Sequence, residues 1–389
     1  MGRLLKIMIV SGEASGDGHA AKLVNAIREL EPDSSFFGAA GPRMRDVGVE
    51  ATVRSDELSV VGLAEIGRAL PMFLRASKAL RNAATERDPD VVILVDFPDF
   101  NLKLAKSLKK KGFRIVYYIS PQLWAWRKYR IATIKKYVDL LIAILPFEKQ
   151  WYADHGVEHV EYVGSPLARE VHSSVDRGEF CRKHGIDPMH PIVSFLPGSR
   201  LKEIVRILPV MLEAAIKIGA EKPETQFLIA AADERGKAEI DKIIGSFRTA
   251  NGSESHTFKV IRSETYDALN ASDAAAVASG TATLETGIIG TPMAIVYKTS
   301  SINYKLLEPL INVDHYGLIN LIAEERVAKE LIQDEFTPQS LADEILRLLE
   351  PDVNAAMREK LKQTADKLGH GGASKRAAEA ILWLVGDRG

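Results

Sequence analysis

Val91-Val92-Ile93-Leu94-Val95-Asp96-Phe97-Pro98-Asp99-Phe100-Asn101 begins as an unbroken β-branched and aliphatic run and stops abruptly at a carboxylate. Such a run reads as a strand buried on both faces of a parallel sheet, and Asp96 then stands at its C-terminal edge. Open α/β sheets gather ligands at that edge, which makes Asp96 a candidate general base. The alternative is a residue that caps the following helix or opens a turn, as Asp99 is suited to do.

Outward from this strand, apolar runs alternate with helical patterns. Leu5–Val10, Ser35–Ala40, Arg114–Ile119, Asp139–Leu145 and Glu161–Val163 join it in the first half. Ile192–Leu196, Gln226–Ala231, Phe258–Ile261, Ala274–Ala278 and Met293–Tyr297 form a second series. The expected fold is α/β, with two tandem Rossmann-like, doubly wound parallel-sheet domains and a C-terminal helical segment. A chain of 389 residues suits two cores better than one. The boundaries expected are 1–168, a polar hinge at 169–191, 192–350, and helices over 351–389 that pack back on the N-terminal domain or swap with a partner chain. Thr337-Pro338 is a cap and first-turn pair for one late helix, and a last one runs from Lys375 to Val385.

With 51 basic and 52 acidic residues the net charge is -1, which gives no global attraction for nucleic acid. The single cysteine, Cys181, excludes an intramolecular disulfide and fits a reducing compartment. The N-terminal apolar run is short, carries Lys6 and continues into a loop, so it reads as a strand. No run approaches the ~20 residues of a spanning helix, which leaves a soluble or peripherally bound protein.

Three loops carry ligand signals. Ser11-Gly12-Glu13-Ala14-Ser15-Gly16-Asp17-Gly18-His19 is a small-residue turn into a helix, and its acids, Glu13 and Asp17, favour sugar hydroxyls over phosphate. A plain strand-to-helix turn is the alternative. In the second half, strand Ile192–Leu196 runs into Pro197-Gly198-Ser199-Arg200, where open backbone N–H groups adjoin a guanidinium suited to phosphate oxygens. Strand Ala274–Ala278 runs into Ser279-Gly280-Thr281-Ala282-Thr283-Leu284-Glu285, a phosphate-accepting turn with a carboxylate one helical turn later for a ribose diol. Two such loops on one sheet predict a nucleotide diphosphate. No Asp-x-Asp pair sits beside them, so no metal or other cofactor is expected; Asp96 and Asp99 flank Pro98 and read as a turn.

These stretches, together with Ala40-Gly41-Pro42-Arg43-Met44, Ser120-Pro121-Gln122-Leu123-Trp124-Ala125-Trp126-Arg127 and Leu145-Pro146-Phe147-Glu148, resemble the ordered motifs of the lipid A disaccharide synthases over nearly the whole chain. The resemblance implies an inverting GT-B glycosyltransferase. It would join UDP-2,3-diacylglucosamine to 2,3-diacylglucosamine 1-phosphate, giving the β(1→6) disaccharide of lipopolysaccharide biosynthesis and UDP. It also implies that 1–168 binds the acceptor and 192–350 the donor. By the same resemblance Asp96 is the base and Glu13 the acid of the first loop; Arg200 binds pyrophosphate, Glu285 the ribose, and Asn320 belongs to the donor site. Two departures stand out. Ser165 replaces a family histidine in Val163-Gly164-Ser165-Pro166-Leu167, and Leu318-Ile319-Asn320-Leu321 lacks the family proline. Other UDP-sugar enzymes of this fold, such as UDP-N-acetylglucosamine 2-epimerases and lipid II glycosyltransferases, lack the Asp96–Asn101 and Trp124–Arg127 stretches. A non-catalytic sugar-nucleotide or lipid-binding protein is the reading from another class.

Acylated substrates demand apolar surface. Residues 66–81 place Leu70, Phe73, Leu74 and Leu80 among Arg68, Arg75, Lys78 and Arg81, a pattern suited to the anionic inner leaflet of the cytoplasmic membrane. An ordinary sheet-packed helix with solvated arginines is the alternative. Trp124, Trp126 and Arg127 are candidates for the sugar and acyl cleft, with domain-core aromatics as the alternative. A homodimer would exchange the last helix.

Overall fold

A computed structural model of the chain describes residues 4–58, 66–251, 258–300, 315–369 and 371–386. The chain divides into two compact units, Met1–Pro166 with His370–Gly389, and Leu167–Gly369.

The first unit is built on a seven-stranded, all-parallel sheet. Its strands are β1 (Lys6–Ser11), β2 (Ser35–Ala40), β3 (Glu50–Arg54), β4 (Val91–Val95), β5 (Ile115–Tyr118), β6 (Leu140–Ala143) and β7 (Val160–Tyr162). They lie in the order β3-β2-β1-β4-β5-β6-β7. Strand order reverses between β1 and β4, so the loops leaving those two strands flank the crevice where ligands of such sheets bind. The run Val91–Val95 is wholly apolar because both its faces are covered. Val92 and Leu94 pack with Leu80, Leu104 and Leu108, from helices Ile66–Arg87 and Pro98–Lys109. Val91, Ile93 and Val95 pack with Leu23, Ile27, Ala377 and Ile381, from helices Ala14–Leu30 and Ala373–Gly386.

The second unit repeats the plan with β8 (Ile192–Leu196), β9 (Gln226–Ala231), β10 (Phe258–Arg262), β11 (Ala274–Ala278), β12 (Met293–Tyr297) and β13 (Glu330–Ile332). The order is β10-β9-β8-β11-β12-β13, again all parallel, with the switch between β8 and β11.

Several expectations need correction. The polar stretch 169–191 is part of the second unit: it forms helix Arg177–His184, capped by Asp176 and tied to the sheet by an Arg177–Asp273 ion pair of 2.8 Å. Helix Pro351–Asp366 also belongs to the second unit, where Asn354 and Arg358 donate to the carbonyls of Asp273 and Gly290. Only the last helix joins the first unit, with the Arg376 guanidinium donating to the Val163 carbonyl at 2.8 Å. Strands β3 and β13 are absent from the sequence reading. Each is a short edge strand carrying charged residues, so neither shows a buried strand's apolar run. Among the described residues no helix is long and apolar enough to cross a membrane.

Ile381 is fully buried between the last helix and the first unit's sheet. Ile381→Ala is expected to destabilise the protein by about 2–4 kcal/mol in urea denaturation; a change below about 1 kcal/mol would mean that this helix does not complete the core.

Candidate active site

Asp96 follows β4, and the pairing of Ser11 with Val95 brings the Gly12-Glu13 turn alongside it. Asp96 and Phe97 are both left-handed, with φ of 48° and 51°, a conformation that costs energy in non-glycine residues and must be held by its surroundings. The holding is done through the Asp96 peptide. Its N–H donates to the Tyr118 carbonyl at 3.0 Å. Its carbonyl accepts from the Tyr117 hydroxyl at 2.7 Å and from Asn101 Nδ2 at 2.8 Å. Phe97 lies directly over Gly12, where an added Cβ would come within 2.2 Å of the ring, and it also packs on Phe73 and Phe100. The main chain is thus clamped, while among the described residues no cation pairs with the carboxylate. Burial, and then the charge of Glu13, push its pKa up to about 6.

Glu13 itself is exposed at the start of helix Ala14–Leu30. Asp17 is not available to a sugar: it is buried and accepts from the backbone N–H groups of Gly41, Arg43 and Met44, which it caps. Asp99 does not join Asp96. It takes hydrogen bonds from Arg127, at 2.7 Å, and Arg130. Although partial burial raises its pKa, the Arg130 and Arg127 bonds outweigh that and hold it below the ordinary carboxylate range.

The loop after β5 splits the expected aromatic pair. Trp124 is buried, packs edge-on against Phe147, and donates its indole N–H to Glu148 at 3.1 Å. Glu148 also accepts from the Ile144 and Leu145 N–H groups, and burial raises its pKa. The Trp124 ring is therefore a loop anchor, in place of the cleft-lining side chain expected. Trp126 is 44% exposed, with the Arg127 guanidinium 4.1 Å from its ring centre.

On the amphipathic helix Ile66–Arg87, Leu70 and Leu74 are 55% and 61% exposed, one turn apart. Phe73 and Leu80, expected on that same surface, turn toward the core instead, Phe73 onto Phe97 and Phe100. The side chain of Arg68 lies outside the described residues.

In the second unit a cavity of about 710 Å³ opens at the C-terminal ends of β8, β9, β10 and β11. Gly198, Ser199, Arg200, Ser279, Gly280, Thr281 and Glu285 all line it, as do Tyr266 and the Ser263–Thr265 turn. Gly198 has φ +110° and packs against Glu203. Glu203 in turn bonds the Arg200 side chain at 2.9 Å, leaving that guanidinium 79% exposed in the cavity mouth. Glu285 accepts from the Tyr266 hydroxyl at 3.1 Å; burial raises its pKa despite that bond. Asn320 does not line the cavity. It is fully buried, its amide spent on the Ala328 backbone and on Glu330. Glu330 also accepts from the Tyr316 and Gly317 N–H groups, and the Tyr316 carbonyl accepts from Ser279 Oγ at 2.6 Å. Asn320 thus supports the Ser279 loop from behind, with both atoms of its amide engaged by the protein. Among the described residues, no group of three or more His, Cys, Asp or Glu side chains is disposed to hold a metal ion.

Comparison with known proteins decides the family. The model of the lipid-A-disaccharide synthetase family matches residues 7–384. The chain belongs to that family. A lipid-A-disaccharide synthase from Myxococcus xanthus is 43% identical over 382 residues, covering 98% of this chain and 97% of that one. One from Trichlorobacter lovleyi is 42% identical over 386 residues, covering 99% of each. The fold is shared more widely, at low identity. A putative UDP-N-acetylglucosamine 2-epimerase from Listeria monocytogenes superposes with a TM-score of 0.65 at 15% identity, covering 100% of this chain and 98% of that chain. A glycosyltransferase from Rickettsia africae does so at 0.60 and 12%, covering 100% of both. The chain is accordingly a glycosyltransferase of GT-B architecture with lipid-A-disaccharide synthase activity, acting in lipid A biosynthesis.

Tyr117, Asn101, Glu148, Tyr266 and Glu330 escaped the sequence reading. Tyr117 lies inside a run that reads as strand, Glu148 ends a quoted motif, and Tyr266 and Glu330 lie in stretches where the sequence marks no element. Asn101 sits within the quoted stretch but carries no sign that its amide faces backwards. Tyr117→Phe keeps the ring and removes one donor to the Asp96 carbonyl. It is expected to lower kcat about ten-fold with both KM values unchanged; an effect confined to KM would contradict the clamp.

Proposed function

We propose that the chain transfers the diacylglucosaminyl group of UDP-2,3-diacylglucosamine to the 6-hydroxyl of 2,3-diacylglucosamine 1-phosphate, with inversion and without a metal ion. The observation that carries this reading is the Asp96 carboxylate, fixed at the β1/β4 switch point and pushed up to about 6. A base with that pKa is ionised at neutral pH yet basic enough to take a hydroxyl proton in the transition state. The acceptor oxygen forms the new bond at the donor's anomeric carbon while its proton passes to Asp96. The bond from that carbon to the UDP oxygen breaks, with the electron pair leaving on UDP.

UDP departs as a weakly basic anion and requires charge stabilisation more than a proton. Arg200 and the backbone N–H groups around Gly198 and Gly280 supply it, and Glu285 accepts from the ribose hydroxyls. Glu13 acts on Asp96 chiefly by its charge, keeping the base from becoming too acidic. Leu70 and Leu74, with the exposed Arg75 and Lys78, are the surface through which the protein rests on the inner leaflet of the cytoplasmic membrane. A homodimer would exchange helix Ala373–Gly386, which follows left-handed glycines at 369, 371 and 372.

Asp96→Asn is expected to abolish disaccharide formation while UDP still binds, and EDTA to leave the wild-type rate unchanged. Turnover by Asp96→Asn at more than about a tenth of the wild-type rate would place the base elsewhere. For the wild type, kcat/KM falls as pH drops through about 6, where Asp96 takes up its proton. Stability runs the opposite way. Ionised Asp96 costs folding energy at pH values above about 6, and the cost fades as pH falls toward 3.8. Asp96→Asn is therefore expected to stabilise the fold by about 1–3 kcal/mol at neutral pH.

A further inference from the structure

The first unit carries a cationic cluster that the proton-transfer step does not use. Arg127 and Arg130 both donate to one oxygen of Asp99, Oδ1. Asp99 stays ionised between them, so the trio has a net charge of +1. Asp99 opens the cluster to solvent, its side chain 66% exposed, with Arg127 partly exposed at 33% and Arg130 set deeper at 13%. Arg127 also lies 4.1 Å from the ring centre of Trp126, itself 44% exposed, which fixes the guanidinium plane.

The cluster stands close to the base. Asp99 is in the first turn of the helix that Asp96-Phe97 leads into. The buried Tyr117, whose hydroxyl bonds the Asp96 carbonyl, feels the charges of Asp96, Arg130 and Asp99 alike. Asp99 follows Asp96 by three residues, across the left-handed Asp96-Phe97 turn.

Resting on the acceptor reading above, we propose that Arg127 and Arg130 form a clamp for the phosphomonoester at the reducing end of the acceptor, with Asp99 holding both guanidinium groups in place until it arrives. A phosphomonoester carries about 1.5–2 negative charges at neutral pH, so it outcompetes the single Asp99 carboxylate for the two guanidinium groups. Planar guanidinium groups meet its oxygens in bidentate fashion, and the Trp126 face is at hand for the sugar ring. The clamp would orient the ring so that its far end, the 6-hydroxyl, meets Asp96. It would also make the enzyme select phosphorylated over unphosphorylated acceptors.

The alternative is a staple that merely ties the β5 loop to helix Pro98–Lys109. The test compares 2,3-diacylglucosamine 1-phosphate with 2,3-diacylglucosamine as acceptors, in neutral detergent micelles with UDP-2,3-diacylglucosamine as donor. The wild type is expected to favour the phosphorylated acceptor. In Arg127→Gln and Arg130→Lys the ratio of the two kcat/KM values should fall about ten- to a hundred-fold, through the KM of the phosphorylated acceptor. Asp99→Asn should keep or raise the ratio, since it leaves both guanidinium groups and removes the charge that competes with the phosphate; a fall like that of the arginine variants would overturn the clamp. Parallel losses on both acceptors, with the ratio intact, would overturn the clamp and identify a staple; Asp96→Asn, dead on both acceptors in that same assay, would leave the base reading standing. Binding to phosphatidylglycerol–phosphatidylcholine vesicles separates the two sources of phosphate. The clamp predicts unchanged sedimentation of the Arg127 and Arg130 variants. Lost vesicle binding with an unchanged ratio would assign the pair to a lipid headgroup and overturn the clamp.

Discussion

Placing a carboxylate at the end of a strand buried on both faces is costly, and much of the first unit is arranged around that cost. β4 can run as five consecutive buried aliphatic residues only because helices cover the sheet on both sides, one layer supplied by the chain's last helix. The strand ends at the point where strand order reverses, and the polypeptide turns through two left-handed residues, Asp96 and Phe97. Tyr117 and Asn101 take hold of the peptide carbonyl, and among the described residues no cation takes hold of the carboxylate. Electrostatic discomfort and fixed position therefore arise from the same packing. A better-solvated or ion-paired acid would stabilise the fold and would make a poorer base.

A second theme is that many of the conspicuous polar residues act on loops instead of ligands. Asp17 caps the turn at Gly41, Glu148 ties Trp124 to the Ile144–Leu145 backbone, and Asn320 with Glu330 holds the turn whose carbonyl bonds Ser279. Each is buried and hydrogen-bonded, as buried polar groups must be, and each fixes a loop at a strand's C-terminal end. Loss of such a group would be felt as misplacement of the groups in front of it, so activity data alone would assign it a catalytic role it does not have.

What could be read from the sequence follows from these physics. The central strands were legible because burial on both faces writes a continuous apolar run. β3, half-exposed at a sheet edge, and β13, three residues long and beginning with the buried Glu330, write no such run. Asp96 was legible as the residue that breaks the pattern at a known edge, and Gly198–Arg200 and Ser279–Glu285 as loops that follow strands. Asp17, Trp124 and Asn320 were misassigned because sequence specifies a polar group and not its direction. Whether an amide points at a ligand or back at a carbonyl is decided by tertiary contacts such as those of Ala328 and Glu330. Asn101 and Tyr117 were invisible for the same reason: their partner is a main-chain atom, which leaves no mark on the residue types around it.

The proposed proton transfer rests on the state of one carboxylate, and the direct measurement is the titration of the Asp96 side-chain carbon by NMR in the intact protein. A midpoint near 6, moving down when Glu13 is replaced by Gln, is the predicted result. A midpoint near the ordinary 3.8, insensitive to Glu13, would contradict the claim that burial at the switch point makes Asp96 the base.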